Sequence, residues 1–354
     1  MSRFLTEKYK VLEPYTPGEQ PQDRKYVKLN TNESPYPPSG LAMKLAGEEL
    51  ERLKLYPDPD CTRLTAELAR TYGVSADEVI VTNGSDEVLN FAFMAFCDKE
   101  RPAVFPDITY GFYKVFADLN GVPYREIPLL SDFSVDIERL KAEEGVLFIA
   151  NPNAPTGIAL SLPEIEDIVA SNRERVVVVD EAYVDFGAES AVPLTKKYDN
   201  LLVTMTFSKS RSMAGARLGF GIGSRELISD LVRIKYSTNP YNVNRMTAAA
   251  GVGALLDSDY FLENCKKIVD AREWTSRELS ALGFEMTPTR ANFIFAKSDK
   301  ISGEELYLAL RGRGVLVRHF SKERIKDYNR ITVGSMEEMQ ILVDRIKEIL
   351  EVKK

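Results

Sequence analysis

Up to about residue 240, short apolar runs alternate with longer segments of helical periodicity. Residues 146–150 are entirely apolar and residues 175–179 are mostly valine, which is typical of strands buried on both faces of a parallel sheet. Residues 62–72 have apolar side chains at helical spacing and are followed by Gly73 as a C-terminal cap. Further strands are predicted at residues 78–82, 104–106, 200–206 and 218–222. The alternation predicts an α/β fold whose mainly parallel sheet is covered by helices on both faces.

The two ends of the chain have different patterns. Prolines recur through residues 1–40, which excludes a long helix and predicts an extended arm that lies along another domain or subunit. After residue 240, long helical patterns and short strands alternate up to a closing helix at about residues 336–352. We therefore predict an N-terminal arm (1–40), a large domain (41–240) and a small α+β C-terminal domain (241–354).

Composition excludes several classes of function. The formal net charge of −7 argues against general nucleic-acid binding but leaves room for a local basic pocket. The one histidine, His319, and three widely spaced cysteines argue against a metal site and a disulfide framework. No apolar run is long enough to span a membrane and no signal-peptide core is seen, so a cytoplasmic location is expected.

One lysine stands in an unusual position. Lys209 follows an apolar run, and Arg217 comes eight residues later. A buried ammonium without a partner is costly, but a desolvated amine has a lowered pKa and can form a Schiff base with pyridoxal phosphate (PLP). For Ser208-Lys209 alone, a solvated lysine on a loop is the better explanation.

Two other strand ends carry residues that would complete such a site. Asp180 follows four valines, which puts a carboxylate at the carboxyl end of a predicted parallel strand. Gly84, Ser85 and Asp86 lie between a predicted strand and an apolar helix, where helix N–H groups bind phosphate. By itself this second segment fits an ordinary helix cap equally well.

Four motifs occur together in one order along the chain. They are Asn-Pro-Asn-Ala-Pro-Thr-Gly at 151–157, Asp-Glu-Ala-Tyr at 180–183, Ser-Lys at 208–209 and Arg-Leu-Gly at 217–219. This set resembles the fold type I PLP-dependent aminotransferases over nearly the whole chain. The resemblance implies an aspartate-aminotransferase-like large domain with a seven-stranded, mainly parallel sheet, and a homodimer with shared active sites.

The chain is most similar to those members that transfer an amino group between L-histidinol phosphate and glutamate/2-oxoglutarate in histidine biosynthesis. The closer motifs lie at residues 28–33, 55–57, 83–87, 109–111, 290–292 and 330–334. Aminotransferases for aromatic amino acids or aspartate, and threonine-phosphate decarboxylase, remain alternatives within the fold. A PLP-sensing transcriptional regulator is disfavoured, because it needs an added DNA-binding module and the net charge is negative.

The resemblance also implies roles for individual residues. Lys209 would bind the cofactor covalently and move protons, Asp180 would pair with the pyridine nitrogen, and Tyr183 would bond the phenolate oxygen. Tyr110 would stack on the ring, while Tyr56 would reach the phosphate of the neighbouring subunit's cofactor. The phosphate would be held by Gly84, Ser85, Asp86, Thr206, Ser208 and Arg217.

At one position the chain departs from the family. The family usually has Asn directly before Pro-Thr-Gly, where its amide bonds the phenolate oxygen, whereas this chain has Ala154 and carries Asn153 one place earlier. We expect either that Asn153 binds the cofactor in its place or that Tyr183 makes the contact alone.

The resemblance finally implies a substrate-binding group. Arg330 would bind the substrate's anionic end, since a guanidinium suits both a carboxylate and a phosphate. Tyr15, Asn32 and Arg318 would join it, although a surface salt bridge explains Arg318 equally well.

Overall fold

The computed structural model describes residues 2–10 and 12–352. The helices are α1 Glu7–Lys10, α2 Gly40–Glu48, α3 Thr62–Tyr72, α4 Ser85–Phe96, α5 Phe112–Asn120, α6 Ile137–Ala142, α7 Leu162–Ala170, α8 Arg225–Thr238, α9 Arg245–Leu256, α10 Ser258–Ala281, α11 Gly303–Gly312 and α12 Met336–Val352. The strands are β1 Val27–Lys28, β2 Val79–Thr82, β3 Ala103–Pro106, β4 Tyr124–Ile127, β5 Val146–Ala150, β6 Val177–Asp180, β7 Leu201–Thr206, β8 Gly219–Gly223, β9 Phe284–Met286, β10 Phe293–Ser298, β11 Val315–Leu316, β12 Arg318–His319 and β13 Asn329–Thr332.

The large domain is built on a seven-stranded sheet with the order β2-β8-β7-β6-β5-β3-β4. Strand β8 runs antiparallel to both of its neighbours, and the other strand pairs are parallel. Every residue of β5, β6 and β7 is buried, as expected for apolar strands covered by helices on both faces. The predicted α/β fold with a mainly parallel sheet is confirmed.

The register of the central strands brings their carboxyl ends together. Ala150 at the end of β5 pairs with Asp180 at the end of β6, and Asp180 pairs with Thr204 near the end of β7. The loops that follow these strands therefore begin side by side at one edge of the sheet. Open α/β sheets place their ligand sites at this edge.

The C-terminal part of the chain forms a second layer. Its antiparallel sheet has the order β12-β13-β10-β9 and shares an apolar core with α10 and α12. The N-terminal arm joins this part, because β1 pairs in parallel with β11 and the adjoining Leu29 is buried in the same core. Apart from the short helix α1, the described residues up to 26 form no regular element.

Helix α9 packs on the large domain. A Cβ on its Gly253 would lie 2.6 Å from Cα of Ala42 in α2, so a glycine is needed where the two helices meet. Val252 and Leu255 belong to the apolar core that also contains the central strands. The three-part division of the chain remains a prediction, and we propose that the large domain extends to Leu256.

The described residues also define the state of the cysteines and the length of the helices. Cys61, Cys97 and Cys265 are free and buried. Within residues 2–10 and 12–352, no cluster of side chains could hold a metal ion. In the same ranges, no helix has the length and apolar character needed to cross a membrane.

Candidate active site

A cavity of about 480 Å³ lies at the carboxyl edge of the large sheet. The arm, the loops after the central strands and the small domain all contribute to its wall. It is lined by Tyr15, Pro17, Gly18, Gln20, Asn30, Thr31, Asn32, Glu33, Ser85, Asp86, Tyr110, Ala150, Pro152, Ala154, Asp180, Ala182, Tyr183, Thr206, Ser208, Lys209, Ala214, Gly215, Arg217, Arg318 and Arg330. Most of the predicted site residues are thus brought together, and Gly84, Asn153 and Tyr56 do not line the cavity.

Lys209 lies in the loop that follows β7 and extends into the cavity. Its Nζ donates a hydrogen bond to the carbonyl oxygen of Thr31 at 3.1 Å and lies 5.8 Å from the ring centre of Tyr183. Burial, together with the nearby positive charge of Arg330, lowers the pKa of this amine to about 8. A substantial fraction of Lys209 is therefore neutral and nucleophilic near physiological pH.

Asp180 ends β6 and is 5% exposed. Its Oδ2 accepts a hydrogen bond from the hydroxyl of Tyr113 at 3.1 Å, and its Oδ1 accepts one from the N–H of Ala182 at 3.2 Å. Burial raises the pKa of this carboxyl to about 7 against the effect of the Tyr113 bond. A positively charged ring nitrogen beside it would favour the ionised form.

Tyr113 is a site residue that the sequence does not reveal. It is fully buried in α5, and an aromatic residue at helical spacing normally indicates core packing. Its hydroxyl fixes Oδ2 of Asp180, and its ring meets that of Tyr110 edge to face with centroids 5.7 Å apart. It orients two residues that were predicted to contact the cofactor.

Tyr183 and Asn32 form a buried hydrogen-bonded pair at the cavity wall. Nδ2 of Asn32 donates to the hydroxyl oxygen of Tyr183 at 2.9 Å. The Tyr183 ring packs edge to face on Phe293, with centroids 5.1 Å apart. Asn32 was predicted to bind substrate, and the structure shows it bonded to Tyr183.

The turn between β2 and α4 has the geometry of an anion site. Gly84 precedes α4 with a φ of 79°, a conformation that side chains with a Cβ rarely adopt. A Cβ on Gly219 of the neighbouring strand β8 would lie 2.2 Å from the backbone nitrogen of Ser85. The first turn of a helix has N–H groups without intrahelical partners, and Ser85 and Asp86 at the start of α4 line the cavity.

Hydroxyl and guanidinium groups complete this end of the cavity. Thr206 and Ser208 are buried with their hydroxyl oxygens 2.9 Å apart. Arg217, with a φ of 56°, donates to Oδ2 of Asp86 at 3.2 Å, and the Tyr110 hydroxyl donates to Oδ1 of the same carboxylate at 2.7 Å. Because it accepts both hydrogen bonds, the Asp86 carboxylate orients Arg217 and Tyr110. Its own negative charge does not suit direct contact with a phosphate.

The structure does not bring Asn153 into the cavity. Its Nδ2 donates to the carbonyl of Ile108 and to the hydroxyl of Thr156, both at 3.0 Å, while its Oδ1 accepts from Thr109 at 2.7 Å. These bonds occupy the amide in supporting its own loop. The predicted contact between Asn153 and the cofactor is not supported, and Ala154 supplies only a methyl group to the wall.

Arginine side chains line the small-domain side of the cavity. Nη2 of Arg330 donates to the carbonyl of Asn30 at 3.2 Å, but its buried Nε has no hydrogen-bond partner among the described residues. Burial lowers the pKa of Arg330 from its usual value. Arg318 donates to carbonyls of Thr16 and Pro17, so it ties the arm to the small domain. Within residues 2–10 and 12–352 it has no carboxylate partner that would form the alternative surface salt bridge.

Two aromatic residues differ in their relation to the cavity. Tyr15 of the arm lines it and stacks on Phe112, with centroids 4.4 Å apart. Tyr56 is 77% exposed, stacks on Tyr241 at 4.7 Å and contributes nothing to the cavity of its own chain. His319 does not line the cavity, and its Nε2 lies 2.8 Å from the carbonyl oxygen of Lys326.

The arrangement can bind a flat, cationic aromatic ring that carries an anionic group. A buried carboxyl and a nucleophilic amine line the same cavity, a helix N-terminus with Ser208 and Arg217 offers donors to the anion, and Tyr110 offers an aromatic face. Arg330 lies on the other side, ready to pair with a second anion.

Comparisons with known proteins agree with this chemistry. A family model described as aminotransferase class I and II matches residues 24–346. The chain is 48% identical over 353 residues to a histidinol-phosphate aminotransferase of Brachyspira hyodysenteriae, covering 99% of this chain and 100% of the relative. It is 49% identical over 350 residues to histidinol-phosphate aminotransferase 1 of Bradyrhizobium diazoefficiens, with coverages of 99% and 100%.

Solved structures show the same fold. A histidinol-phosphate aminotransferase of Sinorhizobium meliloti in complex with pyridoxal-5'-phosphate aligns with a TM-score of 0.91 at 22% identity, covering 100% of this chain and 99% of that one. An aspartate aminotransferase variant of Thermus thermophilus aligns with a TM-score of 0.82 at 19% identity, covering 98% and 100%. The fold is therefore aspartate-aminotransferase-like, and the chain belongs to the class I and II aminotransferase family.

Proposed function

We propose that this chain is a PLP-dependent histidinol-phosphate aminotransferase, which transfers the amino group of L-histidinol phosphate to 2-oxoglutarate. The observation that carries the proposal is the meeting of Lys209, Asp180 and Arg330 in one cavity. The names of full-length relatives that are 48% and 49% identical support the choice of substrate.

The residues of the cavity fit the cofactor. Gly84 and Gly219 make room where a Cβ would collide with Arg217 or with the backbone of Ser85, so the turn can approach a phosphate closely. The nearly buried Asp180 suits a protonated ring nitrogen. When bound, PLP supplies an electron sink that stabilises negative charge on the substrate carbon.

The chain's own groups would perform the other tasks. The neutral amine of Lys209 would hold the cofactor and could hold and move the proton at the reacting carbon. Asp180 would keep the ring nitrogen protonated, while Tyr113 fixes the orientation of the Asp180 carboxylate. The Tyr183 hydroxyl would donate to the phenolate oxygen, and Tyr110 would offer its ring for stacking.

Substrate selection would depend on Arg330. Its buried Nε has no hydrogen-bond partner in the part of the chain that the structure describes, and a guanidinium can bind both the phosphate of histidinol phosphate and a carboxylate of 2-oxoglutarate. Arg318 and Tyr15 border the same space. One anion site can therefore serve both halves of the reaction.

The decisive experiment measures glutamate formation from L-histidinol phosphate and 2-oxoglutarate. The purified protein should show a visible PLP band that disappears with borohydride, and Lys209→Ala should lower the turnover rate by roughly a thousandfold or more. Lys197→Ala removes a surface lysine paired with Glu166 and should leave the rate unchanged.

Amino transfer only from aromatic amino acids or aspartate would contradict the proposed substrate, and release of carbon dioxide would indicate a decarboxylase. A colourless protein that takes up no PLP would contradict the whole proposal.

We also propose that the enzyme is a homodimer in which Tyr56 contacts the phosphate of the partner's cofactor. The support is the 77% exposure of Tyr56 and the group of exposed apolar side chains around it in sequence. This group comprises Met43, Leu50, Leu53 and Leu55. Exposed apolar groups of this kind mark interfaces between subunits.

The three free cysteines suit a reducing compartment. We propose that the enzyme works in the cytoplasm.

A further inference from the structure

The hydroxyl of Tyr183 has a single hydrogen-bond partner among the described residues. That partner is Nδ2 of Asn32, at 2.9 Å. The neighbouring wall is apolar at Ala154, which is 4% exposed, and the amide of Asn153 is bonded elsewhere. How the Tyr183 hydroxyl is oriented therefore depends on Asn32.

Thr332 determines which way the Asn32 amide points. The backbone N–H of Asn32 donates to Oγ1 of Thr332 at 2.9 Å, and Oγ1 lies 3.0 Å from Oδ1 of Asn32. A threonine hydroxyl has one proton, and here it can be donated to Oδ1. The amide oxygen of Asn32 is thereby held at Thr332, so the NH₂ group faces Tyr183.

The rest of the environment keeps Asn32 in this position. Asn32 is 1% exposed with a φ of 57°, and its carbonyl oxygen accepts a bond from Nδ2 of Asn292 at 3.1 Å. An amide NH₂ group can only donate, so it occupies a lone pair of the Tyr183 oxygen. The Tyr183 proton must then be donated to another group, and the open direction is the cavity.

We propose that Asn32, held by Thr332, is a positioning residue that sets the Tyr183 hydroxyl as a hydrogen-bond donor to the phenolate oxygen of the cofactor. This inference rests on the proposed function, since it assigns a role toward bound PLP. Thr332 and Asn32 do not touch the reacting atoms and act through Tyr183. The order of donation is Asn32 N–H to Thr332, Thr332 to the Asn32 amide, that amide to Tyr183, and Tyr183 to the cofactor.

The test is a pH titration of the visible absorption band of the bound cofactor. A donor to the phenolate oxygen stabilises its negative charge and lowers the pKa of the band. Tyr183→Phe and Asn32→Ala should each raise that pKa, by about one unit, and raise the dissociation constant for PLP about tenfold. The double variant should shift the pKa no further than Tyr183→Phe alone, because Asn32 acts only through the Tyr183 hydroxyl.

Thr332 provides a matched pair of variants. Thr332→Val removes the hydroxyl and frees the amide to rotate, so the pKa should move in the same direction by a smaller amount. Thr332→Ser keeps the hydroxyl and should behave like the unmodified enzyme. Thermal unfolding of each variant without cofactor shows whether it folds, and this pair carries the test if Asn32→Ala does not.

The outcomes distinguish this inference from the proposed function. Three results would overturn the positioning role while the enzyme still binds PLP. They are an unchanged pKa of the cofactor band in Asn32→Ala, additive pKa shifts in the double variant, or equal pKa values in Thr332→Val and Thr332→Ser. Failure of the unmodified protein to bind PLP would overturn the proposed function and this inference together.

Discussion

At the scale of single residues, the chemistry of the site depends on two groups that burial pushes towards neutrality. The pKa of Asp180 is raised to about 7 and that of Lys209 is lowered to about 8, in both cases first by burial. Desolvation disfavours a carboxylate and an ammonium alike, so the two groups approach each other in pKa from opposite sides. Each shift gives a measurable pH dependence.

The Asp180 shift should affect the stability of the protein stripped of cofactor. Its carboxyl has a pKa of about 7 in the folded state and about 3.9 when unfolded. The folded state therefore binds the proton more tightly, and the stabilisation is complete below pH 4 and is lost as the pH rises to about 7. At about 1.4 kcal/mol per pKa unit, the change is on the order of a few kcal/mol.

Asp180→Asn should flatten this part of the stability profile in urea unfolding measured from pH 4 to 8. The buried Glu181, whose pKa is raised to about 8 mainly by burial and least by Asp180, also contributes a slope in both proteins, so the difference between the two profiles reports mainly on Asp180. With cofactor bound, the same variant should lose transamination by roughly a hundredfold or more. Identical profiles for the two proteins would contradict the raised pKa.

Lys209 should govern the pH dependence of cofactor uptake. Because only the neutral amine attacks the aldehyde, the rate of PLP recombination should rise with pH through about 8, the pKa of this lysine. Arg330→Gln removes a positive charge that lowers that pKa, so the midpoint should move to higher pH. Stopped-flow absorbance measures the rate.

The matched control is Arg324→Gln, which removes an arginine bonded to Asp107 and lying outside the cavity wall. Its midpoint should equal that of the unmodified protein. Equal shifts in both variants would show that general charge, and not the Arg330–Lys209 interaction, sets the profile.

Hydrogen bonds between residues distant in sequence could not be predicted. Lys209 and Asp180 were found because each stands in a motif at or just after the end of a strand, and Arg217 because it stands in a motif just before β8. Tyr113 lies 67 residues from Asp180 and Asn32 lies 151 residues from Tyr183. No local pattern reports such a pairing, because it arises only when the fold brings the segments together.

At the scale of secondary structure, elements with strong periodicity were predicted with correct bounds. Helix α3 and strand β5 agree with the predicted bounds to the residue, and α12 matches the closing helix predicted at about residues 336–352. Strand β4 was not predicted, because it is a four-residue edge strand whose central residues are exposed and it lacks an apolar run. The antiparallel direction of β8 follows from a connection to β7 that contains no crossover helix.

The contact between β8 and the start of α4 gives a prediction at this scale. A Cβ on Gly219 would lie 2.2 Å from the Ser85 nitrogen and 2.4 Å from the Gly84 carbonyl carbon. Gly219→Ala should push the strand from the turn, destabilise the protein by about 1–3 kcal/mol and weaken PLP binding about tenfold. Thermal unfolding and fluorescence titration with PLP measure the two effects.

Gly312→Ala is the matched control, because a Cβ there meets no atom within 4 Å and the residue ends α11 away from the cavity. It should be neutral or slightly stabilising, since alanine favours helix. A Gly219→Ala protein with unchanged stability and PLP affinity would show that the turn yields without loss, contrary to the crowding argument.

At the scale of the whole molecule, the question is whether one chain contains a complete site. The cavity holds the proposed anchors for the ring and the substrate, yet the exposed Tyr56 does not line it. Arg245 bonds the carbonyl of Tyr56 at 2.8 Å and Tyr241 stacks on its ring. Tyr56 is therefore held on the outer surface by its own chain, as a residue offered to a partner would be.

Hybrid dimers test this arrangement directly. Tyr56→Ala should weaken PLP binding by roughly tenfold and lose activity when PLP is scarce, while Lys209→Ala is inactive. If Tyr56 serves the partner's site, a hybrid of the two variants has one site with both defects and one with neither. Random pairing of equal amounts makes half of the dimers hybrids, so about a quarter of the unmodified activity should return.

The measurement uses co-expressed subunits with different tags, assayed at limiting PLP. If Tyr56 serves its own chain, every site in the hybrid keeps one defect and no activity is recovered.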